Sequence, residues 1–132
     1  YNANADSMLA ALRTFAELPC TGRRWAVLGD MAELGDATEE AHREVGRAAA
    51  QLGIGAVVAV GRRSDITVAA SGRDADRAFG DAEPAARLLL GELRSGDAVL
   101  VKASRSSALD KVVDRLVQEL RPFGGTGQGG LN

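Results

Sequence analysis

Three short segments hold the side chains whose types and spacing could do chemistry. The first is Gly29-Asp30-Met31-Ala32-Glu33-Leu34-Gly35. Its carboxylates, Asp30 and Glu33, can hold an ammonium group or a cation. Equally, they can serve the N-terminus of the following helix, where negative charge is favoured by about 0.3–1 kcal/mol. The second is Gly61-Arg62-Arg63. Two adjacent guanidinium groups can bind phosphate or carboxylate, or remain a solvated pair. The third is Lys102-Ala-Ser-Arg-Ser106, which directly precedes a helical pattern. The first amides of a helix are unpaired and its dipole is positive there, so such a start attracts anions. Lys102 and Arg105 add charge-assisted bonds, which suits carboxylate or phosphate recognition. The plainer alternative is that Ser104 to Ser107 only cap the helix.

The remaining chemistry is sparse. There is one histidine, His42, and one cysteine, Cys20. That excludes an internal disulfide, a multi-cysteine zinc site and a two-histidine metal pair. His42 falls one position off the apolar stripe of its helix and reads as helix-surface packing. Cys20 follows Pro19 and reads as an inert thiol. There is no Walker A sequence and no G-x-G-x-x-G after a strand. A nucleoside triphosphate would therefore need another domain to hold most of it.

The elements that position these segments follow from periodicity. Met8, Ala11, Leu12 and Phe15 predict a first helix over about 5–18, capped by Asn4 and stopped by Pro19. Trp25-Ala-Val-Leu28 and Ala56-Val-Val-Ala-Val60 read as buried strands, each followed by glycine. Between them, Asp36 and Glu39 are spaced as a capping box. The helix they open should bury Ala41, Val45, Ala48, Ala49 and Leu52, and end at Gly53. Ile66 to Ser71 suggests a short helix and Arg77-Ala-Phe79 a short strand. Asp81 should cap a helix with Ala86, Leu89, Leu90 and Leu93 inside, and Pro84 is tolerated in its first turn. Ala98-Val-Leu-Val101 is another strand. Ser107 and Asp110 form a second capping box before a helix burying Leu109, Val112, Val113, Leu116, Val117 and Leu120. Residues 123–132 are glycine-rich and read as a flexible tail to a single domain at 1–122.

Strands alternating with amphipathic helices predict parallel βαβ units. The expected fold is α/β, a three-layer α/β/α Rossmann-like sandwich with a mostly parallel sheet. Ligands of such sheets sit beyond the carboxyl ends of the strands, where all three segments fall. A chain of 132 residues, 45% hydrophobic and 26% charged, is one domain's worth with an ordinary core. No apolar run approaches the ~20 residues of a membrane span, and the start is not a secretion signal. Sixteen basic against eighteen acidic residues, net -2, argues against a nucleic-acid partner. Lysine occurs only at 102 and 111; the arginine and alanine bias reads as codon usage in a GC-rich genome.

Four ordered segments resemble the Mur ligase family. They are Tyr1-Asn2-Ala3-Asn4-Ala5-Asp6-Ser7-Met8, then Ala26-Val-Leu-Gly-Asp-Met-Ala-Glu-Leu-Gly35, then His42 with Val45-Gly46, then Val101-Lys-Ala-Ser-Arg-Ser106. The match runs over about residues 1–120 and resembles the C-terminal domain of the branch that adds D-alanyl-D-alanine. The resemblance implies an ATP-dependent amide ligase of peptidoglycan precursor synthesis in the bacterial cytoplasm. ATP phosphorylates the carboxylate of a UDP-muramoyl-tripeptide, and the amine of D-Ala-D-Ala attacks the acyl phosphate. It also implies two further domains, N-terminal and central, the latter holding ATP and Mg2+, so that this domain alone is inactive. By the same resemblance Tyr1, Asn2 and Asn4 approach the nucleotide. Asp30, Met31, Glu33 and Leu34 line the dipeptide side. Lys102, Ser104 and Arg105 meet the dipeptide or the transferred phosphate. Ala5, Ala103 and Ser107 depart from the usual proline, glycine and methionine, and the strand and acidic residue that usually precede Tyr1 are absent. Two rivals stand beside this reading. One is a sister ligase, Mur-type or folylpolyglutamate-type, with another incoming amine. The other is a non-catalytic α/β binding module of receiver type, which would want an acidic cluster around Asp30.

Overall fold

The computed structural model describes residues 4–31, 35–74, 76–103 and 109–120. Among the described residues nine regular elements alternate: α1 (Ala5–Glu17), β1 (Arg24–Gly29), α2 (Thr38–Gln51), β2 (Ala56–Val60), α3 (Ser64–Ser71), β3 (Arg77–Phe79), α4 (Ala82–Glu92), β4 (Ala98–Lys102) and α5 (Asp110–Glu119). A short 3-10 turn at Gly35–Ala37 leads into α2.

The strands form one sheet in the order β3-β2-β1-β4. All three pairings are parallel. Side chains alternate across the strands, so two cores form. Ala26, Leu28 and Val57 pack with Met8, Leu12 and Phe15 of α1 and Val45 and Ala49 of α2. Trp25, Val27, Val58 and Val60 pack with Ala85, Ala86 and Leu89 of α4 and Val112 and Leu116 of α5. α3 lies against α2, and Gly46 permits the contact: a Cβ there would meet the Thr67 carbonyl oxygen at 2.2 Å. The expected three-layer sandwich is thus the observed one.

The ends of the elements show where local signals were overruled. Asn4 caps α1 as expected, and Ser7 completes a reciprocal box: the Ser7 amide donates to Asn4 Oδ1 at 2.9 Å and the Asn4 amide to Ser7 Oγ at 3.1 Å. The box expected at Asp36 and Glu39 does not form. The 3-10 turn takes up Asp36, α2 begins at Thr38, and the Thr38 hydroxyl donates to the Gly35 carbonyl at 2.6 Å. Asp81 stands at the N-cap of α4 without a side-chain bond. α5 begins at Asp110 with Leu109 at its N-cap, later than the expected box at Ser107, which lies outside the described residues. Val113 and Val117, expected inside, are 40% and 47% exposed. Only the Leu109, Val112 and Leu116 side of that helix reaches the sheet. The proposed tail at 123–132 lies outside the described residues.

Two carboxylate anchors, one half-buried and one buried, tie the amino-terminal end of the sheet. Asp97 Oδ1 accepts from the Arg23 amide at 2.8 Å, and its Oδ2 accepts from the Arg94 amide and the Trp25 indole, each at 3.0 Å. Asp76, with no exposed side-chain surface, accepts from the Val57 amide at 2.8 Å, from Arg73 Nε at 3.1 Å and from the Ser71 hydroxyl.

Candidate functional site

The chain leaves β1 toward β2 on one side and returns to β4 on the other, so strand order reverses between β1 and β4. A doubly wound sheet opens a crevice at that switch point, beyond the carboxyl ends of the strands. Leu28 pairs with Lys102 across the two strands. The Asp30-Met31 segment and Lys102 therefore flank one crevice. Helices in this architecture run antiparallel to the strands, which brings the Asn4 end of α1 to the same side. Ala5, Met8, Leu28, Met31 and Ala41 share one core there.

Asp30 serves a different helix start from the one its place in the sequence suggests. Its carboxylate accepts from the Arg62 amide at 2.9 Å and the Arg63 amide at 3.1 Å. It thus supplies negative charge to the start of α3, a helix after the neighbouring strand rather than the one that follows it in sequence. Gly61 makes room for it: with φ +128, a Cβ at Gly61 would meet Asp30 Oδ1 at 2.5 Å. The Gly61-Arg62-Arg63 segment therefore contributes its backbone to this wall. Met31, placed by resemblance on the dipeptide side, has its side chain in the core at 3% exposure. What it offers the crevice is backbone.

His42 is the residue that sequence reasoning missed. Expected on the helix surface, it is 1% exposed. The Met31 amide donates to its Nε2 at 3.1 Å, while its Nδ1 lies 2.7 Å from the Thr38 carbonyl oxygen. A carbonyl only accepts, so Nδ1 carries the proton. Asp30 Oδ1 lies 3.8 Å from Nε2. The signal was Gly46. A glycine inside a helix often marks close packing, and it rotates the buried face to Ala41, His42, Val45, Gly46 and Ala49.

The structure thus brings Asn4, Asp30, Met31 and Lys102 to one end of the sheet. Tyr1, Asn2, Glu33, Leu34, Ser104 and Arg105 lie outside the described residues. Lys102 is half-buried at the end of β4, and strand alternation puts it on the α1–α2 face. Among the described residues no three His, Cys, Asp or Glu side chains gather as a metal would require. No described helix is long and apolar enough to cross a membrane.

Comparison with known proteins fits this geometry. A family model described as Mur ligase, glutamate ligase domain, matches residues 1–105. The UDP-N-acetylmuramoyl-tripeptide–D-alanyl-D-alanine ligase of Escherichia coli (strain K12) is 43% identical over 122 residues, covering 90% of this chain and 26% of its own length. That of Mycobacterium tuberculosis (strain CDC 1551 / Oshkosh) is 38% identical over 141 residues, covering 90% of this chain and 28% of its own. A crystal structure of MurF from Acinetobacter baumannii superposes with a TM-score of 0.80 at 28% identity, covering 89% of this chain and 27% of that one. MurF ligase from Thermotoga maritima, solved in complex with ADP, superposes at 0.73 and 27% identity over 90% of this chain and 27% of its own. The chain spans little more than a quarter of these relatives. On fold, motif order and these matches, the chain belongs to the Mur ligase family and corresponds to its C-terminal domain.

Proposed function

We propose that this chain is the dipeptide-side domain of an ATP-dependent ligase that joins D-Ala-D-Ala to UDP-N-acetylmuramoyl-tripeptide, completing a soluble peptidoglycan precursor in the bacterial cytoplasm. The observation that carries the reading is the crevice between β1 and β4, built from the segments that resemble this branch. The domain proper is 1–122, with 123–132 a flexible tail. ATP and Mg2+ are held mainly by a central domain, and the UDP sugar by an N-terminal one.

In this reading the tripeptide carboxylate takes the γ-phosphoryl group of ATP, releasing ADP. The dipeptide amine attacks the acyl carbon, the C–O bond to phosphate breaks, and the amine loses its proton as the amide forms. The part of this chain is positioning and charge stabilisation. The wall of Asp30, Met31, Glu33 and Leu34 faces the dipeptide. Lys102, with Ser104 and Arg105, meets its carboxylate or the departing phosphate. Tyr1, Asn2 and Asn4 approach the nucleotide. Alone, the domain has no ligase activity.

The test uses the full ligase from the source genome with UDP-muramoyl-tripeptide and ATP. Phosphate release should depend strictly on D-Ala-D-Ala and fall at least tenfold in a folded Lys102→Ala enzyme, the scale of one lost charge-assisted contact. Release that follows a different amine would move the protein to a sister branch.

A further inference from the structure

We infer that His42, through its neutral Nδ1–H tautomer, is a positioning residue that holds the Asp30–Met31 peptide on the dipeptide side of the crevice; the inference rests on the function proposed above. Asp30 and Met31 share one peptide bond, and both ends of it are held. The Asp30 carboxylate grips the amides of Arg62 and Arg63. The Met31 amide donates to His42 Nε2. A planar peptide with its N–H fixed has its carbonyl direction fixed too, so the orientation of the Asp30–Met31 peptide in the crevice wall is set. His42 can hold it because its other nitrogen is anchored one helical turn away on the Thr38 carbonyl.

The arrangement needs an acceptor at Nε2, which separates two conservative replacements. A glutamine side chain reaches as far as Nε2 and can accept from the Met31 amide. An asparagine reaches only as far as Nδ1, keeping the bond to Thr38 and losing the one to Met31. A role confined to helix α2 would rank asparagine above glutamine. Positioning of the wall ranks them the other way.

The experiment is made on the full ligase carrying His42→Gln or His42→Asn, with two readouts. The first is hydrogen–deuterium exchange at the Met31 amide. His42→Asn should speed exchange about tenfold, as loss of one buried hydrogen bond implies, and His42→Gln should keep it within about threefold of wild type. The second is the steady-state response to D-Ala-D-Ala. His42→Asn should raise KM for the dipeptide about tenfold with kcat and KM for ATP little changed, and His42→Gln should restore it. Equal exchange in the two variants overturns the inference whatever the substrate is. Altered exchange with unchanged KM overturns it as a positioning role. If the wild-type enzyme rejects D-Ala-D-Ala, the proposed function fails instead, and the same KM comparison is made with the amine it accepts.

Discussion

The Asp30 anchor gives a quantitative prediction through a double-mutant cycle with Gly61. Asp30→Ala removes the acceptor of two amides. Hydrogen bonds to a charged acceptor contribute about 1.5–3 kcal/mol each. Arg62 is exposed and its amide can turn to water, so the total loss should be about 2 kcal/mol. Gly61→Ala meets two obstacles. Its φ of +128 is one that side chains rarely adopt, which costs about 1–3 kcal/mol. Its Cβ would also lie 2.5–2.8 Å from three atoms of the Asp30 carboxyl group. The carboxylate must leave, which forfeits the same ~2 kcal/mol that Asp30→Ala forfeits. Gly61→Ala should therefore cost about 4 kcal/mol in the wild-type background but only about 2 where Asp30 is already alanine. The double variant should be about 2 kcal/mol more stable than the sum of the singles predicts. Urea unfolding at pH 7, followed through the lone tryptophan, Trp25, gives all four free energies. Additivity within about 0.5 kcal/mol would refute the reasoning, because independent sites behave so.

Three further outcomes follow from the anchors and from the packing of α2 on α3. Burial resists ionisation of Asp97, but the amides of Arg23 and Arg94, the Trp25 indole and the Arg23 charge outweigh it and hold its carboxyl below the usual range. A depressed carboxyl stabilises the fold above its unfolded value of about 3.9 and loses that contribution as pH falls through the folded value. The stability gap between wild type and Asp97→Asn should thus be steady from about pH 5 to 7 and shrink below about pH 4, as urea titrations at each pH will show. Asp76→Ala, which strands the buried Val57 amide and the Arg73 guanidinium, should cost about 3–5 kcal/mol, and Asp76→Asn clearly less; a Tm as mild for alanine as for asparagine would contradict this. Gly46→Ala would ordinarily favour a helix by about 1 kcal/mol; here the Thr67 carbonyl should reverse the sign and lower Tm.

The sequence was most legible where one period ran unopposed. The apolar runs at Trp25–Leu28, Ala56–Val60 and Ala98–Val101 fall within the observed strands; the first two are buried on both faces and have no alternative environment, and the third is a half-buried edge strand. Asn4 was legible because its cap is closed by residues three positions away. Capping at Asp36 was not, since the same residues also suit a 3-10 turn and Thr38 found an acceptor in Gly35. Val113 and Val117 show the limit of an apolar stripe: its width exceeds what one sheet face can cover. At the crevice, the motifs pointed to the right end of the sheet. The partners of Asp30 lie more than thirty residues away, beyond any local pattern. Burial of His42 comes with its bond to the Met31 amide, eleven residues away, which no local period announces.

The reversal of strand order also dictates when the crevice can exist. β1 is the first strand made, yet one of its two neighbours is the last, and the Asp97 anchor closes on the Arg23 amide across 74 residues of chain. At about 5–20 residues per second, a ribosome needs roughly 4–15 s to make that interval. Throughout it, one flank of β1 has no strand to pair with, while β2 and β3 can already assemble on the other. The Asp30 wall can therefore form early, and the Lys102 wall only at the end. A nascent or truncated chain that stops short of β4 has no crevice, so a ligand held between these two walls would report completion of the domain.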